Sequence, residues 1–302
     1  MIRIANAPVS YGVFELARPD LVALPDGEQI AAWVSEAGYA AVDMGPVGLL
    51  GLGDDLVDRL HRYALELCGG WVDLPFTAED DDFDAALAGI DEALDVFVTA
   101  RDAGQALAPL PTLADAGDAK RKAHPGGAPE LMLQGDEWLR FADRVNRTVD
   151  HVRSRGLEPT FHHHACTSVE TPEEIDALLN ATDVGLTFDS GHLLIGGGDP
   201  LRDFARWQHR INHLHLKDAR TGLLAEALKT EDPMRTVWER RVFVPLGEGD
   251  LDTDALVQAI IDFGYSGWLV IEQDVVPRSN EEIDQARADQ VANRDRLRRW
   301  FA

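Results

Sequence analysis

Four short stretches of this 302-residue chain gather side chains that bind cations and carry protons. The first is Glu158-Pro159-Thr160-Phe161-His162-His163-His164. Read as a strand, it puts residues 158, 160, 162 and 164 on one face, so His162 and His164 point together and His163 points away. A lone histidine is more often a satisfied structural residue, but three in succession at a strand's end favour ligation or acid/base work. The second stretch, Thr187-Phe188-Asp189-Ser190-Gly191-His192, sets Asp189 at the end of an apolar run and His192 in the turn beyond it. Alone, Asp189 would read as a cap or turn residue. In the third, Ile211-Asn212-His213-Leu214-His215-Leu216-Lys217-Asp218, period-two alternation sends His215 and Lys217 into one cavity. In the fourth, Trp268-Leu269-Val270-Ile271-Glu272-Gln273-Asp274, an apolar run breaks into acid and leaves Glu272 at a strand's edge, where a surface turn would also explain it.

The conjunction carries more than any member. His162, Asp189, His215 and Glu272 fall at the ends of successive strands, and adjacent strands would converge them. Two imidazoles and two carboxylates suit Mn²⁺, Co²⁺, Fe²⁺ or Zn²⁺ better than Mg²⁺ or Ca²⁺, which prefer oxygen shells; Mn²⁺ is the leading expectation. Such an ion acts as a Lewis acid on a carbonyl and stabilises an enediolate. His164 and His192 are the acid/base candidates, since an imidazole near its ordinary pKa of about 6.5 exchanges protons at neutral pH.

The elements that must position these groups alternate β-type runs with amphipathic helices along almost the whole chain, the pattern of a parallel sheet with helical crossovers. Eight strands are expected: Ile2–Ala7, Ala41–Met44, Gly70–Leu74, Ala106–Pro109, Glu158–His162, Val184–Phe188, Ile211–Leu216 and Trp268–Ile271. Helices are expected over Glu28–Ala37, Asp54–Leu67 and Ala128–Arg155, each ahead of a glycine, and Thr171-Pro172-Glu173-Glu174 carries the parts of a capping box. The expected fold is α/β, a (β/α)₈ TIM barrel, as one domain over residues 1–302, with no linker or composition break. Long loops around Leu110–Pro129 and Asp218–Gly249 would follow strands and so sit on the active-site face. Trp33, Trp207 and Trp268 read as packing residues, Trp71 and Phe76 as pocket wall, and Trp238 as part of a lid.

Lys and Arg total 28 against 53 Asp and Glu, a formal charge of −25, which repels phosphate backbones and anionic lipid, so no nucleic acid or membrane partner is expected. Cys68 and Cys166 lack metal-type spacing or a disulfide framework, and MIRIANAPVS lacks the form of a targeting segment. A cytoplasmic protein is expected.

The motifs FHHHACTSVET, FDSGHLL, HLHLKD, VPLGEGDLD and GWLVIEQD, with AVDMGPVGLLG at the second strand, strongly resemble the sugar isomerase/epimerase superfamily of xylose-isomerase-like barrels, and within it the myo-inosose dehydratase branch. The resemblance covers roughly the whole chain. It implies Asp189, His215 and Glu272 as metal ligands and His192 as a residue that either supports those ligands from behind or contacts substrate, while Lys217 is placed to hold a substrate oxygen. Members with the epimerase pattern carry a glutamate at the strand-five metal position; here His162 stands there, as in the HHH pattern of the dehydratases, with Glu158 a rival on another register. Cys166 and Ser168 replace glycines usual in that branch. Gly247-Glu248-Gly249 resembles the family's glycine-rich loop after strand seven, with Glu248 either structural or substrate-facing. The implied activity is dehydration of a keto-inositol, 2-keto-myo-inositol. Alternatives are isomerisation or epimerisation of a free keto sugar, β-elimination from a 3-keto-glycoside, and non-catalytic sugar binding. The expected partner is a small polyhydroxylated carbonyl compound, and homo-oligomers occur among proteins it resembles.

Overall fold

Short apolar strands separated by helices that each bury one face leave a parallel sheet as the arrangement that covers both sides of every strand. The computed structural model, which describes residues 1–301, rolls that sheet into a barrel. Its strands, numbered one to eight in chain order, are Ile2–Asn6, Ala41–Val42, an interrupted third strand made of Glu66–Leu67 and Gly69–Leu74, Leu110–Asp115, Thr160–His162, Gly185–Asp189, Ile211–Leu216 and Gly267–Ile271. All pair in parallel with their chain neighbours, and strand eight returns to strand one with Ile4 opposite Leu269. The two halves of strand three close the ring: Leu67 pairs with Val42 on one side, and Gly69 with Leu110 on the other.

Alternation sorts the side chains into two layers. Phe161, Phe188, Phe76, Phe141, Phe204 and Trp207 are buried between strands and helices, while Thr160, Thr187, His162, Asp189, His213 and His215 are buried and polar. Thr160 and Thr187 join across the interior through their hydroxyls at 2.8 Å. One irregularity sets the phase of strand seven. Leu186 lies opposite Ile211 but Thr187 lies opposite His213, so Asn212 is an extra residue and Asp189 comes to face His215. Gly185 permits it: a Cβ there would stand 2.2 Å from the Asn212 side chain, which turns to donate to the Pro159 carbonyl at 3.1 Å.

Three expectations shift. Strand four runs over Leu110–Asp115 rather than Ala106–Pro109, because Pro111 tolerates a strand position while the preceding Gly104-Gln105 turn absorbs the earlier segment. The helix expected over Asp54–Leu67 ends at Arg62, and Ala64 turns with positive φ into strand three. The helix expected from Ala128 begins at Gly135, after a 3₁₀ turn at Pro129–Leu131. No helix among the described residues is long and apolar enough to cross a membrane.

Both long loops are tied down. The segment after strand four holds a short helix, Ala119–Lys122, whose Arg121 pairs at 2.6 Å with Glu174, both side chains buried. Gly126 N–H donates to Glu170 at 2.6 Å. The segment after strand seven forms a hairpin of Asp218–Ala219 with Phe243–Val244 and a helix over Pro233–Glu239, and the Asp218 carboxylate accepts from the amides of Gly247, Gly249 and Leu251 at 2.8, 3.0 and 3.0 Å.

Glu170 is buried with Oε2 unpaired, and burial pushes its carboxyl from 4.5 to about 8. A raised folded-state pKa means the native protein keeps a proton that the unfolded chain releases above about pH 4.5, so this group's contribution is full below that value and is lost as pH rises towards 8. Glu170→Gln keeps the acceptor for Gly126 and removes the titration. Its thermal midpoint is expected to fall less between pH 5 and 9 than that of the unaltered protein; parallel curves would contradict the assignment.

Candidate active site

At the C-terminal ends of strands five, six and seven the inward positions are His162, Asp189 and His215, with Glu272 one residue past strand eight. All four are buried. Asp189 Oδ2 lies 3.3 Å from His162 Nε2 and 3.6 Å from His215 Nδ1, and Glu272 Oε2 lies 3.1 Å from His215 Nδ1. The other Asp189 oxygen, Oδ1, accepts the amides of Gly191 and His192 at 2.8 and 2.9 Å and caps the helix Ser190–Ile195. The cap aims Oδ2 into the barrel mouth. His215 has no hydrogen-bond partner at either nitrogen, nor has His162 at Nδ1. His162 Nε2 contacts Asp189 with hydrogen-bond geometry, whereas His215 approaches two carboxylates without it, and the convergence of this nitrogen and oxygen set fits a borderline divalent cation.

A second group abuts the first. His164, His192 and Asp274 present ligand atoms that all lie within 4.8 Å of one another. The rings of His164 and His192 are 3.7 Å apart, and Trp71 stands edge-on to His164 at 4.9 Å and to His162 at 5.6 Å. Trp238 Nε1 donates to Asp274 Oδ2 at 3.2 Å, so the insertion after strand seven reaches the centre. Lys217 is buried among these groups, its Nζ 2.9 Å from Glu272, 2.8 Å from Asp274, 3.2 Å from Asp189 and 3.0 Å from His192 Nε2.

Each charge here is held in place by its neighbours. Burial opposes ionisation of Asp189, but Lys217 and the imidazoles hold it well below the usual carboxylate range, and His215 with Lys217 does the same for Glu272. Burial pushes Asp274 up to about 6 against the pull of Lys217. Burial also lowers His162 to about 4 and His163 to about 3, and takes His164 and His192 well below 6.5, so all four are neutral at pH 7. His215 is the exception: burial would lower it, yet Glu272 and Asp189 outweigh burial and raise it to about 10.

The structure therefore brings together His162, Asp189, His215, Glu272, His164, His192 and Lys217. Glu158 is excluded from the cluster: its side chain is 56% exposed and pairs with Arg153 at 2.8 Å, two pleats from the open end. His163 faces the outer layer, where Nε2 accepts the Asp189 amide at 3.2 Å. Phe76 is not pocket wall. It shares the parity of Val72 and Leu74 and packs outward on Phe83, Phe141 and Phe161. Glu248 pairs with Arg220 at the surface, 3.1 Å away. Sequence reasoning misses two residues. Asp274 is in phase with Glu272, but it lies beyond the strand, where period two no longer guarantees direction. His213 is fully buried with both nitrogens unpaired, 5.1 Å from the His215 ring; its parity alone is a signal that places it inside.

A profile of the xylose isomerase-like TIM barrel family matches residues 31–294. The chain belongs to this family. Among relatives of this xylose isomerase-like barrel, the rhizopine catabolism protein MocC of Rhizobium meliloti is 30% identical over 293 residues, 95% of this chain and 86% of that protein. The inosose dehydratase of Geobacillus kaustophilus is 28% identical over 288 residues, 91% of this chain and 88% of that protein. The solved IolI protein, which carries a bound zinc atom, superposes with a TM-score of 0.68 at 14% identity, covering 98% of this chain and 96% of that one; at this distance the likeness speaks for the barrel alone.

Removing one partner from a buried charge cluster costs about 3–5 kcal/mol because the remaining charges lose their compensation. Asp189→Asn keeps an oxygen to cap the helix but discharges Oδ2. It is expected to lose stability of that order in urea unfolding of metal-free protein, and a loss below about 1 kcal/mol would show that the charges around Asp189 are compensated elsewhere.

Proposed function

We propose that the protein is a metal-dependent hydro-lyase that dehydrates a keto-inositol, with 2-keto-myo-inositol the expected substrate. The observation that carries this reading is the convergence of two imidazoles and two carboxylates beside a second imidazole pair, in a chain similar over 91% of its length to a protein named inosose dehydratase. His162, Asp189, His215 and Glu272 are the residues that would hold the ion, with Mn²⁺ first among Mn²⁺, Co²⁺, Fe²⁺ and Zn²⁺. When bound there, a divalent ion supplies Lewis-acid polarisation of a ketone and so acidifies the adjacent C–H.

The remaining steps fall to the protein's own groups. His164 Nδ1 lies 2.8 Å from the Ala165 carbonyl, which fixes that nitrogen as the N–H donor and leaves the lone pair on Nε2. A neutral imidazole so oriented is a base for the C–H proton. His192 relays the proton that lets the β-hydroxyl depart as water, its neutral ring taking a proton at Nε2 from the Lys217 ammonium 3.0 Å away as it gives up its own N–H. Lys217 would hold a substrate oxygen by exchanging one of its present contacts, since its three N–H donors already face three carboxylates and His192. Trp71 and Trp238 wall the imidazole pair and keep bulk water from the carbanionic intermediate.

Isomerisation or epimerisation of a free keto sugar, and β-elimination from a 3-keto-glycoside, share the proton abstraction and differ in the fate of the resulting carbanion. His162 at strand five favours dehydration over two-carboxylate epimerisation, because a neutral imidazole there supplies no second carboxylate base.

Metal-stripped and Mn²⁺-reconstituted protein should differ in one assay: conversion of 2-keto-myo-inositol to the dehydrated dione only when the metal is restored. Stoichiometric metal binding without turnover would retire the keto-inositol assignment. His164→Ala is expected to lose roughly 10²–10⁴-fold in turnover at unchanged metal content; full activity would remove His164 as the base.

A further inference from the structure

A cation of the protein's own stands where the two clusters meet: the Lys217 ammonium is 2.9 Å from Glu272 and 3.2 Å from Asp189 in the first, and it reaches into the second as well. Lys217 Nζ is 3.0 Å from His192 Nε2 and 2.8 Å from Asp274 Oδ1, two of the three groups that make up that cluster. An ammonium donating to an imidazole lone pair uses the electrons a metal would take. The His192 Nδ1 contact with the Ala165 amide is longer, 3.4 Å, and a neutral ring has one lone-pair nitrogen, so the charge-assisted contact claims it at Nε2. His164 completes the set with its free Nε2. Without the ammonium these three side chains are two imidazole nitrogens and a carboxylate, a composition that binds borderline divalent ions. The buried Asp274 Oδ1 faces this same ammonium at 2.8 Å, so the oxygen that would complete the set is also held by Lys217.

The backbone is cut to admit the lysine. A Cβ on Gly191 would lie 2.6 Å from Lys217 Cγ and 2.8 Å from its Cβ, so the glycine beside the Asp189 cap leaves room for the stem of this one side chain. Charge balance points the same way. Asp189, Glu272 and Asp274 would be balanced by one divalent ion held by the first cluster together with the one ammonium that touches all three.

We propose that Lys217 is a tethered cation that closes a latent second metal pocket formed by His164, His192 and Asp274, confining the protein to one divalent ion and keeping both imidazoles off a second one. This rests on the metal reading of the first cluster. It makes removal of the lysine a gain of metal rather than only a loss of a substrate contact.

The test is metal stoichiometry, read without reference to turnover. Unaltered protein, Lys217→Met and Lys217→Arg are loaded with Mn²⁺, freed of excess, and assayed for bound ion by elemental analysis, with folding checked by circular dichroism. One ion per chain is expected in the unaltered protein and in Lys217→Arg, and two in Lys217→Met. The pair should show the exchange-coupled paramagnetic resonance of neighbouring Mn²⁺ ions, since His192 Nε2 is 4.0 Å from Asp189 Oδ2. Adding His192→Ala to Lys217→Met should return the count to one. One ion in Lys217→Met, or two in the unaltered protein, overturns the closed pocket while leaving the first site intact. No ion in the unaltered protein overturns the first site and this inference with it. Lys217→Gln serves in place of Lys217→Met if the latter does not fold.

Discussion

A buried carboxylate that must serve two masters sets the geometry of the barrel mouth. Asp189 Oδ1 is committed to the amides that begin the helix Ser190–Ile195, and Oδ2 is thereby left to face two imidazoles and an ammonium. Burying such a charge is costly, and only opposite charges and donors at close range offset the cost. Lys217, raised by its three carboxylate neighbours despite burial, and His215 supply that compensation. The residues that do chemistry are thus also the residues that make each other's burial tolerable.

The dependence extends outward. Asp274 receives the Trp238 indole from the insertion after strand seven, and that insertion is itself organised by the Asp218 carboxylate one residue beyond Lys217. The loop after strand four reaches the same end through Arg121 and Glu170. Segments that look like surface excursions in the sequence are fastened by buried polar contacts to the turns that carry the histidines. Enclosure of the pocket therefore follows from the same interactions that place its side chains.

Much of this is legible in the sequence, and for identifiable reasons. Period-two alternation puts His162 and His215 inside without knowledge of any contact, and the abrupt change from Val270-Ile271 to Glu272 marks a strand end by polarity alone. What alternation cannot carry is direction beyond a strand's last hydrogen bond, which is why it misses Asp274; Phe76 keeps the outward parity of Val72 and Leu74, and nearness to the strand's end is no substitute for that parity. Strand four is misplaced for a related reason. Pro111 argues against a strand on propensity, yet here packing between strands three and five overrides it. The compensation of Asp189 by Lys217 has no sequence signal beyond the residue types, since it depends on side chains from the ends of two strands meeting in space.

The extra residue at Asn212 bears on how such barrels are compared. Strand seven read as regular would set Leu214, not His215, across from Asp189, and the mouth would be lined with aliphatic carbon on that side. A single inserted residue, accommodated by the missing Cβ at Gly185, therefore acts as a phase shifter between a dry wall and a ligating one. Two sequences of this architecture could share every motif and still differ in the chemistry they present, if only one of them carries the slip.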